Sequence, residues 1–257
     1  MLHHSMNKDS MSEQRTSRPK KVANMISGLW SKLDDQLKLH RHKIKSFKPH
    51  VEIEYERGDF LVRTITNGKD LEDCLRLRFE VFHREYMHVK RISGIDIDKY
   101  DFICDHLVII DKRINQIVGT YRLNCSKFNS SFYSESEFQM QSLLAIDGVK
   151  LEMGRACIDK EFRNGVIMAL LWRGIVDYIF KTDTKILFGC ASVKTVSELE
   201  SAFMYHGFKQ DNLVWDRPLI EPGPNYKFKT FWETVKKIEA GELHANKDEI
   251  EALIPPL

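Results

Sequence analysis

The spacing of apolar residues changes once, abruptly, between Val149 and Trp172. Over the first half of this stretch the chain alternates, with Leu151, Met153 and Cys157 at apolar positions and Glu152 between them, which is the period of a strand. From Val166 the apolar residues Ile167, Leu170, Leu171, Ile175, Tyr178 and Ile179 recur at three- and four-residue intervals, the period of a helix face. The joint is Phe162-Arg-Asn-Gly165, a turn that leaves free N–H groups at the helix's first turn beside the Arg163 cation. A phosphate fits such a place. An ordinary strand-to-helix corner turned by a glycine accounts for these residues equally well.

The same patterning organises the rest of the chain. Residues 60–66 predict a strand, and the apolar positions Leu71, Cys74, Leu75, Leu77, Phe79, Val81 and Phe82 predict a helix with Asp70 as its N-cap. Two apolar runs, 106–111 and 117–123, around the polar residues 112–116 predict a β-hairpin. Residues 185–191 predict a strand parallel to the one at Val149, giving a βαβ unit. Residues 197–206 predict a short helix stopping at Gly207, and residues 231–240 a surface helix. Upstream, Val22, Met25, Ile26, Leu29, Trp30, Leu33 and Leu37 mark an amphipathic helix after a polar stretch without apolar period. The order of elements is that of a mixed α/β sheet flanked by helices.

Charge adds one feature. Of the 39 Lys/Arg and 37 Asp/Glu, residues 1–50 hold 11 and 4, so the basic part is an N-terminal arm and the remainder is acidic, 28 against 33. The arm either packs on the domain behind it or lies on an anionic surface, such as a membrane contacted through residues 20–48. The acidic remainder, without a basic aromatic platform, speaks against nucleic-acid binding. The five cysteines, Cys74, Cys104, Cys125, Cys157 and Cys190, form no Cys-x-x-Cys pair and no Cys/His cluster, which argues against zinc and a disulfide framework. Asp96, Asp98 and Asp101 suggest a calcium loop, but its other ligand positions are missing, so no metal is expected. Without an apolar run of ~18 residues or the apolar core of a leader, the expected location is the cytoplasm, with the inner membrane face as a peripheral option.

A set of short motifs then falls in order: Arg78-Phe-Glu-Val-Phe82, Gly94-Ile-Asp-Ile-Asp-Lys-Tyr-Asp101, Asp105-His-Leu-Val108, Val118-Gly-Thr-Tyr-Arg-Leu123, Glu152-Met-Gly-Arg155, Phe162-Arg-Asn-Gly165, Leu171-Trp172 and Phe188-Gly-Cys-Ala-Ser192. In this the chain resembles the GNAT superfamily, in its fatty-acyl-transferring branch of ornithine-lipid N-acyltransferases, hemolysin-like proteins and autoinducer synthases. The resemblance covers about residues 71–192. It implies a seven-stranded-type mixed sheet, splayed between two central strands, with an acyl thioester entering the gap. It places Arg78 and Phe82 on a helix covering the substrates, Asp96, Asp98 and Asp101 near the amine-bearing substrate, and Arg122, Glu152 and Arg155 in a charged central network. Buried strand charges need partners, so a carboxylate–guanidinium network is the expected arrangement.

The reaction so implied is direct transfer of a fatty acyl group from a thioester to the amine of an amino acid or aminolipid precursor. Glu152 is the first candidate base and Asp98 the second, with Arg155 beside them and a backbone N–H near residues 152–155 holding the oxyanion. Arg163, Asn164, Gly165 and Val166 would cradle the phosphate of an acyl-phosphopantetheine co-substrate; no permanently bound cofactor is expected. The family's coenzyme A loop has more small residues than this one, which offers Val166 and Met168, so acyl carrier protein is the preferred donor over CoA. Two alternatives stand beside this reading: an acyl-homoserine-lactone-type autoinducer synthase, and a non-catalytic module that binds acyl carrier or membrane. The expected divisions are an arm at 1–50, the acyltransferase domain at 51–215 and a C-terminal extension at 216–257. Because family members continue beyond Ile-Pro-Pro-Leu, a truncated end is one expectation; the other is that residues 213–215 and 226–228 supply the missing strands.

Overall fold

The computed structural model of the protein describes residues 40–88, 94–215 and 220–253. The expected amphipathic helix at 22–37, with Lys20 and Lys21, and the Ile254-to-Leu257 end lie outside the described residues. The last part of the arm is helical over residues 40–45, and Ile44 and Phe47 are buried in an apolar cluster with Leu71 and Leu75.

The main sheet is built from β1 (Glu54–Arg57), β2 (Phe60–Thr64), β3 (Asp105–Asp111), β4 (Gln116–Cys125), β6 (Val149–Ile158) and β7 (Thr184–Phe188), in the spatial order β1-β2-β3-β4-β6-β7. All neighbours are antiparallel except β6 and β7, which run parallel as the βαβ unit requires. Among the described residues the main sheet therefore has six strands, where the family resemblance implied seven. A separate two-residue pair, β5 (Phe138–Gln139) with β8 (Glu221–Pro222), ties the C-terminal segment to the loop before β6. Residues 213–215 and 226–228 form no strand.

Six further α-helices follow the helical residues 40–45: α1 (Gly68–Phe79), α2 (Gln141–Leu144), α3 (Val166–Thr182), α4 (Glu198–Gln210), α5 (Phe231–Glu239) and α6 (Lys247–Glu251). The N-cap of α1 is Asn67, whose side chain accepts from the Asp70 N–H at 3.0 Å; Asp70 sits inside the first turn and pairs with Arg63. An amide oxygen at the N-cap reaches the free N–H of the third helical residue, which that residue's own carboxylate does not supply. After Phe79 the helix loosens into a π-helical stretch, Glu80–Tyr86. α4 runs through Gly207 to Gln210 instead of stopping at the glycine, although a helical glycine costs ~1 kcal/mol, and its last turn is tied to α5 by Lys209 and Glu239 at 2.7 Å.

The two faces of the sheet are covered differently. On one, α3 buries Ile167, Leu171, Ile175 and Tyr178 against Leu107, Leu123 and Leu151. The fit is close enough that a Cβ at Gly174 would stand 2.8 Å from Leu107. On the other face lies α1, with Cys74 Sγ 3.1 Å from Thr120 Oγ1 on β4. Because side chains alternate along a strand, His106, Arg122, Asn124 and Glu152 point toward this second side.

β6 and β7 stay together only as far as Glu152↔Phe188. Beyond that register the edge of β6 from Met153 to Ile158 has no partner from β7. Gly189 marks the parting: it approaches β6 so closely that a Cβ there would collide with the Met153 carbonyl.

Candidate active site

At the parting the backbone of β6 is irregular as well. Thr120 pairs with Cys157 and Arg122 with Gly154, so Tyr121 of β4 faces two residues, Arg155 and Ala156. That is a β-bulge, and Arg155 takes a left-handed backbone at φ 52° within it. A small pocket of about 60 Å³ opens here, lined by Arg122, Asn124, Tyr133, Glu137, residues 152–155, Cys190 and Ser192.

Beside it stands a balanced ionic cluster. Arg78, buried on α1, donates to Asp101 at 2.6 Å and to Asp96 at 2.6 and 2.9 Å. Arg122 donates to both oxygens of Asp98 at 2.8 Å and to Asp101 at 3.0 Å. Arg155 reaches Asp98 at 3.4 Å and Asp96 at 3.5 Å. Three guanidinium groups thus answer three aspartates. Local geometry sets the acidic segment: Asp98 and Asp101 form a reciprocal capping box around the turn Lys99–Phe102. Burial pushes the Asp101 carboxyl up, but Arg78 and Arg122 outweigh it and hold it well below the usual carboxylate range. Asp96 is lowered for the same reason, against burial, by Arg78 and Arg155. His106 Nε2, 2.9 Å from the Asp101 carbonyl, donates to it, and burial pulls this imidazole down to about 4.

Glu152 departs from expectation. It is buried, but it joins no ion pair with Arg122 or Arg155. Its Oε1 accepts from Ser134 N–H at 2.6 Å and Ser134 Oγ at 2.7 Å, and its Oε2 from Tyr133 N–H at 2.8 Å and Asn124 Nδ2 at 3.3 Å. The loop between β4 and β5 folds back over β6 and supplies three of these donors, and Asn124 of β4 the fourth, so four neutral dipoles answer the charge. The same loop puts the Tyr133 ring 5.2 Å from the Arg155 guanidinium and 5.9 Å from that of Arg122. Tyr133, Glu137 and Cys190 were not singled out by the sequence. The only sign was the Gly-Cys-Ala-Ser run after Phe188.

The structure therefore brings Arg78, Asp96, Asp98, Asp101, Arg122 and Arg155 into one cluster, with Glu152 adjoining them in the pocket wall. Phe82 packs with Leu77, Val81, Tyr86 and Cys157 in a separate apolar group. The Arg163–Val166 turn is not part of the pocket lining. Arg163 is bound bidentately by Glu85, at 2.7 Å through Nη2, and donates through Nε to the Ile158 carbonyl at 3.1 Å. Asn164 Oδ1 accepts the Val166 N–H at 3.1 Å, and Gly165 supplies the left-handed turn at φ 85°. The first intrahelical bond of α3 runs from Ala169 N–H to Gly165, so the amides of Ile167 and Met168 precede the helical ladder. Cys157 is buried and its thiol is pushed well above the ordinary range by burial, which makes it inert as a nucleophile. Among the described residues no three His, Cys, Asp or Glu side chains form a metal site.

The sequence profile of the family described as "Acetyltransferase (GNAT) domain" matches residues 77–173, from Leu77 in α1 through the first half of α3. This segment matches the GNAT domain. Among curated relatives, the L-ornithine N(alpha)-acyltransferase of Agrobacterium fabrum is 34% identical over 171 residues, 58% of this chain and 57% of that protein. The enzyme of the same name from Rhizobium meliloti is 38% identical over 165 residues, 57% of this chain and 56% of its own. The chain thus spans little more than half the length of these relatives. Among solved structures, the AHL synthase LasI superposes with a TM-score of 0.39 at 21% identity, covering 58% of this chain and 78% of its own. No described helix is long and apolar enough to cross a membrane.

Proposed function

We propose that the protein is an N-acyltransferase that moves a fatty acyl group from a phosphopantetheine thioester to the amine of ornithine or a similar amino acid. The observation that carries this reading is the coincidence of the pocket with the parting of β6 and β7, within a GNAT segment whose curated relatives are ornithine acyltransferases. An unpaired strand edge offers backbone N–H groups where a thioester carbonyl would gain negative charge.

The amine must lose a proton to attack. Glu152 lines the pocket and has no guanidinium partner, whereas Asp98 is held by Arg122 and Arg155; with a water in place of its longest contact, Asn124 Nδ2 at 3.3 Å, Glu152 is the base and Asp98 the organiser of the two arginines. The nitrogen forms a bond to the acyl carbon, the carbon–sulfur bond breaks, and the thiol leaves with a proton. No acyl-enzyme intervenes.

Acyl carrier protein is the donor this arrangement favours. A CoA diphosphate needs cations and amides at the head of α3, but Arg163 is taken by Glu85 and the Val166 amide by Asn164. The smaller demand of a single carrier phosphate suits the amides of Ile167 and Met168. The test is to supply the purified protein with L-ornithine and matched acyl-carrier-protein or acyl-CoA thioesters and follow N-acylornithine by mass spectrometry. Faster turnover with the carrier protein is expected; preference for CoA would reverse the donor assignment, and a lactone formed with S-adenosylmethionine would point to an autoinducer synthase.

A further inference from the structure

Charge accounting around the pocket leaves one group over. The three arginines of the cluster are answered by Asp96, Asp98 and Asp101. The two glutamates of the lining, Glu137 and Glu152, have no Lys or Arg partner among the described ion pairs. Glu152 is satisfied by its four donors. Glu137 is not: its Oε1 accepts one hydrogen bond, from the Tyr133 hydroxyl at 2.7 Å, and the Cys190 thiol is its other polar neighbour. A half-buried carboxylate in a confined pocket with so few donors favours a cation beside it.

The position of Glu137 is fixed from behind. Its carbonyl accepts the Gly223 N–H at 2.6 Å, and the β5–β8 pair begins at the next residue. A Cβ at Gly223 would stand 2.9 Å from that same carbonyl oxygen, so the approach depends on glycine. The C-terminal segment thus holds a carboxylate in place at the pocket wall. Elsewhere in the lining, Arg155 is the one guanidinium held at long distances: its Nε makes no hydrogen bond, and its ion pairs are 3.4 and 3.5 Å long.

We infer that Glu137 is a specificity residue that binds a second ammonium group on the acceptor, while Arg155 takes the acceptor's carboxylate. The acceptor is therefore a diamino acid: one amine enters the reaction and the other pairs with Glu137. This rests on the acyltransferase reading for which amine reacts, but the recognition of two charges does not.

The experiment compares L-ornithine with L-norvaline, which has the same carbon skeleton and lacks the distal amine. Kd is measured by calorimetry without donor, and kcat/KM with acyl donor, for the wild-type chain, Glu137→Gln and Glu137→Asp. We expect the wild type to favour ornithine by roughly 10- to 100-fold, the range of a charge-assisted contact. Glu137→Gln should bring the two within about threefold, mainly through KM, and Glu137→Asp should restore part of the preference. Equal ratios in wild type and Glu137→Gln, or no discrimination in the wild type, would overturn the inference. Glu137-dependent discrimination in binding without any acyl transfer would sustain it and remove the acyltransferase reading instead.

Discussion

The two faces of the central sheet differ in what stands beside their hydrocarbon: both bury an apolar cluster, with Leu71, Leu75, Val108 and Ile110 on the α1 side, but only the α1 side adds a cluster of paired arginines and aspartates. Against α3, Leu107, Leu123, Leu151, Ile167, Leu171 and Ile175 meet as hydrocarbon, with Tyr178 donating to Asp105 at 2.7 Å. Against α1 and its π-helical continuation, Arg78, Asp101, His106 and Arg122 are as inaccessible as those leucines. The first face gains stability by removing apolar area from water, about 25 cal/mol per Å². The second gains little or nothing net from its ions, because desolvation offsets their attraction. A rigid ionic frame that adds no net stability is what the proposed reaction would use, and the difference separates what holds this chain together from what the proposal assigns to chemistry.

The sharpest way to break the contrast is to strand a charge. Arg78→Met should cost about 3–5 kcal/mol in urea denaturation, because Asp96 and Asp101 stay buried after losing their shortest ion pairs, with only Arg155, His83 and Arg122 left to answer them. Adding Asp96→Asn and Asp101→Asn should recover part of the loss. On the apolar face, Leu171→Ala should cost about 2–5 kcal/mol, with no second substitution of that kind able to repair it. If the asparagine changes fail to rescue Arg78→Met, the ionic account of this face is wrong.

The second prediction concerns pH. His106 has a folded value of about 4 against the ordinary 6.5, so between those values the unfolded chain binds a proton that the native one does not. Stability should therefore fall as pH drops from 6.5 toward 4, by on the order of 3 kcal/mol at the lower end. His106→Gln, which can still donate to the Asp101 carbonyl, should flatten that slope. The lowered carboxyls of Asp96 and Asp101 work at more acid pH. Their stabilisation is present above the ordinary carboxylate range and is lost as pH falls through their depressed folded values.

The smallest effect belongs to Cys157. Cys157→Ala should cost about 1 kcal/mol of stability and leave acyl transfer intact. Loss of turnover in a folded Cys157→Ala protein would instead require a thiol intermediate.

These faces also differed in how far the sequence revealed them. The α3 face was legible because periodicity reports burial directly: Ile167, Leu171, Ile175 and Tyr178 all reach the core as their spacing predicts. Alternation in β6 put Glu152 on the face opposite Leu151 and Met153, but did not say what it meets, since three of its four donors lie 18 and 19 positions away in a loop without apolar period. The arginine–aspartate cluster was legible only through family resemblance, because strand and turn spacing do not say which cation meets which anion. Glu137 carried no local signal, as its role depends on Gly223 arriving from far along the chain. The fate of Arg163 was hidden likewise, for Glu85 is 78 positions distant.

The most direct test of the account is turnover by Asp98→Asn, assayed with acyl-carrier-protein thioester and L-ornithine and read as N-acylornithine. Asp98 touches both Arg122 and Arg155 and lies outside the pocket lining, so its loss should disorganise the site while the fold survives. The wild type should form product and the folded variant should do so at least about 100-fold more slowly, a barrier increase of about 2.7 kcal/mol. A folded Asp98→Asn protein turning over at the wild-type rate would contradict the claim that this cluster organises the reaction.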